Sequence, residues 1–181
     1  MVLKVVQANL HHAKAASAIV YKRFDRMGLD IALLQEPWCH EGIVRGLNPK
    51  LGKALYSKSA IRPRACVVLR DGIGCTLIPE LCSGDFVKAV LNINTEGGPR
   101  RLIVCTANFP GDEDCLPSLL GDIVAHCRKE GYWSATPTHT TLLGEAPTTT
   151  PEVTGCALSR KQLRIFNFED ARKNRKCLLE V

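Results

Sequence analysis

Polar and apolar positions follow two rhythms along this chain, and its N-terminal end shows both. Val5-Val6-Gln7-Ala8-Asn9 is an apolar run that stops in polar side chains, and Ile31-Ala32-Leu33-Leu34-Gln35-Glu36-Pro37 does the same one strand–helix–strand unit later. Between them Ala16, Val20, Phe24 and Met27 recur at helical spacing, and Gly28 stops the helix. The pattern predicts two buried parallel strands side by side, with Asn9 and Glu36 at the same carboxyl edge of the sheet. Ligands collect at that edge in α/β proteins. A carboxylate beside an amide there suits a hard cation such as magnesium, which keeps most of its waters.

The rest of the pattern continues one α/β unit. Arg64 to Leu69 and Cys75 to Leu81 read as strands around a turn at Asp71-Gly72. Val87, Ala89, Leu91 and Ile93 alternate with mostly polar neighbours, which predicts a half-buried strand. A turn at Glu96-Gly97-Gly98-Pro99 leads to Leu102–Thr106, an apolar run for burial on both faces. Leu116, Leu119, Leu120, Ile123, Val124 and Cys127 form a helical stripe ending at Gly131, and that stripe is core. No internal repeat is present.

Gln7-Ala8-Asn9-Leu10, followed by His11-His12-Ala13-Lys14-Ala15-Ala16 and then Gly28-Leu29-Asp30-Ile31-Ala32-Leu33-Leu34-Gln35-Glu36-Pro37-Trp38, resembles the endonuclease/exonuclease/phosphatase superfamily. The wording is similar to the apurinic-endonuclease-like branch found at the front of non-LTR retrotransposon polyproteins. Arg64-Ala65-Cys66-Val67-Val68 and Ala107-Asn108-Phe109-Pro110 continue the likeness, which reaches about Tyr132. The resemblance implies a DNase-I-like four-layer α/β sandwich, two sheets face to face with helices outside. It also implies a magnesium-dependent phosphodiesterase that nicks DNA, with Asn9 and Glu36 in the metal and phosphate site. In such enzymes the metal polarises the scissile phosphate while a histidine, held by an aspartate, activates a water.

Three departures bear on activity. The family carries a tyrosine before the Phe-Pro pair, where it orients the phosphate, and this chain has Asn108. After Gly131 the family enters a strand leading to Asp-x-Asn, then His-His and Trp-Gly, and no such sequence is found here. The family's closing Ser-Asp-His motif is also missing from these residues. The expected organisation is therefore the N-terminal part of such a domain over 1–132, an irregular Thr/Pro-rich segment over 133–159, and a basic remnant over 160–181. That makes the sandwich incomplete, with sheet edges left open. Leu163-Arg164-Ile165-Phe166-Asn167-Phe168, inside the remnant, is similar to a later strand of the family.

The genetic code gives the irregular segment a specific origin. From Trp133 to Thr154 it holds eight threonines and three prolines. Read from the third base of each codon, starting at Ser134, the stretch to Thr141 can encode Cys-Asp-Ala-Asn-Ala-His-His. Leu143 to Ala146 then allows Trp-Gly-Ser, and Thr150 to Val153, read with the last base of the codon before, allows Asn-Pro-Arg-Gly. This is the missing Asp-x-Asn block in its expected place and order, which points to a frame-shifted translation of the metal-site region.

Composition narrows the picture further. The chain has 181 residues, 45% hydrophobic and 23% charged, which fits one globular domain. No apolar run approaches the ~18 residues of a membrane span, and Gln7, Asn9 and His11 interrupt any signal-peptide core. No Cys-x-x-Cys pair occurs among the nine cysteines, and Cys66, Cys105 and Cys127 fall in apolar settings. Free thiols in a reducing, intracellular compartment (nucleus or cytoplasm) are expected, with no disulfide partner. A metal held by Cys39-His40 with His11-His12 lacks ligand spacing.

The net charge is +6, and Arg45, Lys50, Lys53, Lys58, Arg62 and Arg64 gather after Glu36. DNA is the expected partner of Arg45, Lys58, Arg62 and Arg64 through phosphate contacts; a merely solvated face is the bland reading of the same charges. Two other readings stay open, a non-catalytic nucleic-acid-binding module and a relic without a molecular role. The DNA across codons 132 to 163 tests the frame directly. A single-base shift is expected to restore Asp-x-Asn-x-His-His, and a genomic and transcript sequence that restores it in no frame excludes the idea.

Overall fold

The apolar runs become strands of two sheets packed face to face in a computed structural model of the chain, which describes residues 3–47, 52–95 and 98–108 together with strands at 134–138 and 163–168. β1 (Leu3–Asn9), α1 (Lys14–Arg26) and β2 (Ile31–Gln35) come first, and β1 and β2 are parallel with Val5 opposite Ile31 and Asn9 opposite Gln35. The helix stops because Gly28 takes φ +60°, its N–H donating to Asp25 O at 3.1 Å while Leu29 N donates to Phe24 O at 3.0 Å. Arg23 and Arg26 sit in the last turn, where the helix dipole favours cations. The spacing placed Met27 on the buried face with Ala16, Val20 and Phe24. Those three are buried, but Met27 caps the helix end and is 43% exposed.

A short hairpin, β3 (Cys39–His40) and β4 (Ile43–Val44), follows β2. Its two-residue turn has φ +52° at Glu41 and +72° at Gly42. β5 (Gly52–Leu55) and β6 (Ala65–Arg70) then complete one side of the first sheet, β6 lying antiparallel to β2. Gly52 is obligatory, since a Cβ there would sit 1.6 Å from Leu69 O. Arg70 locks the far end, its Nε donating to Leu29 O at 2.8 Å and lying 3.4 Å from Asp30 Oδ1.

β7 (Gly74–Leu77), a short 3-10 turn at Pro79–Leu81, β8 (Phe86–Thr95) and β9 (Gly98–Asn108) build the second sheet. The strand expected over Cys75–Leu81 thus ends at Leu77, where Pro79 removes a ladder donor. β10 (Ser134–Thr138) runs parallel to β9, and β11 (Leu163–Phe168) runs antiparallel to β1. The first sheet has order β11-β1-β2-β6-β5 and the second β10-β9-β8-β7. Ser134–Thr138, inside the segment read as irregular, is a strand paired with β9, and Leu163–Phe168, read as similar to a later strand of the family, is a strand paired with β1. Threonine is β-branched and suits a pleated ladder, which explains how so polar a stretch joins a sheet.

Leu3, Val5, Ile31, Leu33, Val67 and Leu69 meet Val87, Ala89, Leu91 and Val104 between the sheets. Val6, Ala8, Leu10, Ala32, Leu34 and Cys66 line the outer face of the first sheet and take Ala16, Val20 and Phe24 of α1. Burial of each such aliphatic side chain contributes about 1.5–3 kcal/mol. The outer face of the second sheet is also apolar, with Phe86, Val90, Ile103, Cys105 and Ala107 together. The first half of β8 is therefore buried on both faces rather than half-buried. Lys88 shares that face, is fully buried, and its Nζ has no hydrogen-bond partner among the described residues.

The architecture is an incomplete α/β sandwich: sheet on sheet, with α1 outside the first. The expected stripe from Leu116 to Cys127, and Gly131, lie outside the described residues. No helix among the described residues is long and apolar enough to cross a membrane. Leu34 is fully buried between β2 and α1. Leu34→Ala is expected to cost about 2–5 kcal/mol, read as a lower urea midpoint with unchanged slope; an unchanged midpoint would mean α1 does not pack as described.

Candidate functional site

Backbone bonds zip three loops together at the carboxyl ends of β1 and β2. Leu10 N donates to Gln35 O at 2.9 Å, and His12 N to Glu36 O at 2.7 Å. Glu36 N in turn donates to Arg64 O at 2.7 Å, tying in the approach to β6. Asn9, opposite Gln35 in the ladder, accepts the His11 N–H on Oδ1 at 2.9 Å, and Ala13 N closes a turn on Leu10 O at 2.8 Å. The structure thus brings Asn9 and Glu36 to neighbouring strand ends, where the sequence placed them.

Strain concentrates at this edge. Glu36 takes φ +47°, and His11 and His12 take +46° and +55°. Left-handed backbone costs a residue with a Cβ roughly 1–2 kcal/mol, and such positions gather where surrounding bonds over-determine them. Both peptide groups of Glu36 are committed, so its carboxylate is aimed by the backbone. That carboxylate is 24% exposed and lies 3.3 Å, Oε2 to Nδ1, from His11, which is 51% exposed. His12 Nδ1 is 3.2 Å from Pro37 O and can donate to it, so the second ring faces the loop rather than Glu36.

Behind the edge the inner faces of both sheets turn polar. Gln7, Gln35, Thr106 and Asn108 are all buried. Gln35 Nε2 donates to Thr106 Oγ1 at 2.9 Å, joining the strand ends that carry Glu36 and Asn108, while its Oε1 has no partner among the described residues. Asn108 ends β9 and its N–H donates to Asp85 O at 2.8 Å. It occupies the position where a phenol was expected and supplies only an amide. β10 sets Thr136 at the register of Thr106 and Thr138 at that of Asn108, and β11 sets Leu163 beside Ala8.

The basic residues do not form one patch. Arg64 pairs through Nε with Asp85 Oδ1, and its N–H donates to Gly84 O at 2.6 Å. Lys53 lies on β5 opposite Leu69, toward the other end of the sheet, and Lys50 lies outside the described residues. Arg45, Lys58 and Arg62 are exposed on the hairpin and loop beside Glu36. Arg45 N donates to Trp38 O at 2.9 Å, and the Lys14 ammonium sits 5.1 Å from the Trp38 ring centroid. His11 against Glu36, Gln35 as a link between sheets and Asp85 as partner of Arg64 escaped the sequence reading. Of these, only the His11-His12 pair left a visible trace.

Cys39, Cys66, Cys75 and Cys82 are free thiols. Burial raises the Cys39 thiol against the pull of Arg62, and burial drives Cys66 far above the ordinary range. Cys39 Sγ instead bonds Pro63 O at 3.3 Å. Among the described residues no three His, Cys, Asp or Glu side chains converge on a metal. Magnesium needs less, one or two protein oxygens with water and phosphate filling the remainder. The Glu36 carboxylate is an oxygen ligand of that kind, while Asn9 Oδ1, at the neighbouring strand end, accepts the His11 N–H.

No family model matches the sequence, and no curated protein does. Solved structures do match, and the fold they share with this chain is the DNase-I-like α/β sandwich. In particular, the chain is similar to the endonuclease domain of TRAS1, a telomere-specific non-LTR retrotransposon, with 22% identity and TM-score 0.55 over 71% of this chain and 54% of that one. A humanized D. rerio TDP2 carrying 14 mutations matches at 13% identity and TM-score 0.50, over 72% and 57%. A truncated Caenorhabditis elegans TDP2 matches at 14% and 0.50, over 72% and 56%. The chain spans a little over half the length of these structures.

The left-handed backbone at Glu36 makes a separable prediction. Glu36→Gly and Glu36→Ala both remove the carboxylate, but only glycine relieves the backbone. The glycine variant is expected to be more stable than the alanine variant by about 0.5–1 kcal/mol in urea unfolding. The reverse order would show that position 36 carries no strain.

Proposed function

We propose that the chain is an endonuclease-type domain of the non-LTR retrotransposon kind that engages DNA at the Asn9–Glu36 edge and does not cut it. The observation that carries this reading is the pair of strand ends itself: an aimed carboxylate and an amide, zipped together, on a fold shared with an endonuclease domain. In this reading Glu36 and Asn9 hold a magnesium ion through their oxygens, His11 keeps the Glu36 carboxylate in place, and Asn108 borders the phosphate. Bound magnesium would supply positive charge to the phosphate. Arg45, Lys58 and Arg62 meet neighbouring phosphates, whereas Arg64 serves mainly to hold the Asp85 loop.

Hydrolysis also needs a base to take a proton from water. Beyond Gly131 the sequence lacks the family's Asp-x-Asn, His-His and Ser-Asp-His wording, where the base and its aspartate would lie. A protein with this chemistry would act inside the cell, in keeping with its free thiols. A purely binding role is favoured by the exposed Lys58 and Arg62, and it differs in not needing Glu36.

Incubated with magnesium and supercoiled plasmid, the purified chain is expected to nick no faster than Glu36→Ala. Duplex binding is expected to weaken steeply between ~50 and ~200 mM salt. Nicking that depends on Glu36 would refute the inactive reading. Tight binding that ignores salt would refute phosphate recognition.

A further inference from the structure

His11 and Glu36 stand on the loops that follow β1 and β2, and each is aimed by its own backbone. His11 takes φ +46°, and its N–H donates to Asn9 Oδ1 at 2.9 Å. Glu36 takes φ +47°, its N–H donating to Arg64 O and its carbonyl accepting the His12 N–H. The two side chains meet with His11 Nδ1 3.3 Å from Glu36 Oε2. That is long for a hydrogen bond between an imidazolium and a carboxylate, which closes to about 2.7–2.9 Å. It is the spacing of two neighbouring ligands on one metal ion, since donors ~2.0–2.1 Å from a tetrahedral centre lie ~3.3 Å apart. The side chains are 51% and 24% exposed, so an ion and its waters can reach them.

We infer that His11 Nδ1 and Glu36 Oε2 form a nitrogen–oxygen chelate for a divalent first-row transition ion of the zinc or nickel class, with water in the positions the protein leaves open. Magnesium takes oxygen ligands, so it would use Glu36 and pass His11 by; an imidazole beside the carboxylate is what selects a transition ion instead. His12 is directed elsewhere, its Nδ1 lying 3.2 Å from Pro37 O. The chain also carries a contrasting pair. His40 Nδ1 and Glu41 Oε2 lie 3.7 Å apart at the β3–β4 turn, with side chains 64% and 78% exposed. That pair is wider and joins neighbours in sequence, whereas His11 and Glu36 are brought together from two loops by bonds to both backbones. The chelate needs neither DNA nor magnesium and so stands apart from the proposed function.

The test titrates the full chain, freed of metal, with nickel chloride and with magnesium chloride by calorimetry. Nickel is the probe because it favours imidazole, while zinc would also find the free thiols. Wild type is expected to bind one nickel ion ~10-fold or more tighter than magnesium. His11→Asn is expected to weaken nickel by ~10-fold or more, since even an outer-shell partner of a metal is worth that much, and to leave magnesium unchanged. Asparagine accepts left-handed backbone, so the loop is kept, and circular dichroism checks the fold. Glu36→Gln is expected to weaken nickel as well, and His40→Asn to leave it unchanged. Nickel bound as tightly by His11→Asn as by wild type overturns the chelate. So does wild-type nickel no tighter than magnesium, or nickel lost equally from His40→Asn. Nickel binding that follows His11 while magnesium and duplex DNA fail to bind upholds the chelate and removes the proposed function; the converse removes the chelate alone.

Discussion

The site depends on the two hydrogen bonds of the Glu36 peptide. Its N–H reaches Arg64 O and its carbonyl receives the His12 N–H, so one residue joins the loops that follow β1 and β2 to the one that precedes β6. Both bonds are made with Glu36 in the left-handed region, and its carboxylate lies against His11. The cost in local strain is offset by bonds a neighbouring geometry would lose.

The sandwich behind it is apolar for most of its depth and polar at one end. Ile31, Leu33, Val5 and Val104 give way to Gln7, Gln35, Thr106 and Asn108 along the same inner faces. A buried amide is tolerated only where it finds partners, and the Gln35–Thr106 bond provides one while fixing the two sheets against each other. At this end a polar contact joins the two sheets where apolar ones do so elsewhere. Lys88 makes the opposite case on the outer face of the second sheet, where a fully buried ammonium has no hydrogen-bond partner among the described residues, and nothing in the described structure explains it.

Periodicity made the strand–helix–strand opening legible because burial dictates those positions one by one. β1, α1 and β2 fall where the apolar spacing put them, and Asn9 and Glu36 follow as strand-end residues. The errors have equally local causes. Met27 sits on the right helical angle but one residue past the last helical turn, so its side chain meets solvent. Lys88 looked like a solvent-facing position because a charged residue reads as exposed, yet Phe86 and Val90 beside it take that face into the interior. His11, Gln35 and Asp85 were illegible in their roles for a different reason. Their partners lie 25, 71 and 21 residues away, and no local pattern encodes which distant group a polar side chain will meet.

The strand Ser134–Thr138 shows how fold and chemistry separate. A ladder asks for backbone N–H and C=O groups and for side chains that tolerate the pleat, and Ser134–Thr138 meets these demands except at Pro137, which has no N–H to donate. It can therefore take its place parallel to β9, with Thr138 opposite Asn108, whatever ionisable groups its sequence lacks. Catalysis asks for more: particular acids and bases at particular registers. The Asn9–Glu36 edge is built from the N-terminal strands and the approach to β6, and its hydrogen bonds do not pass through β10. Its geometry therefore stands independently of which residues β10 carries.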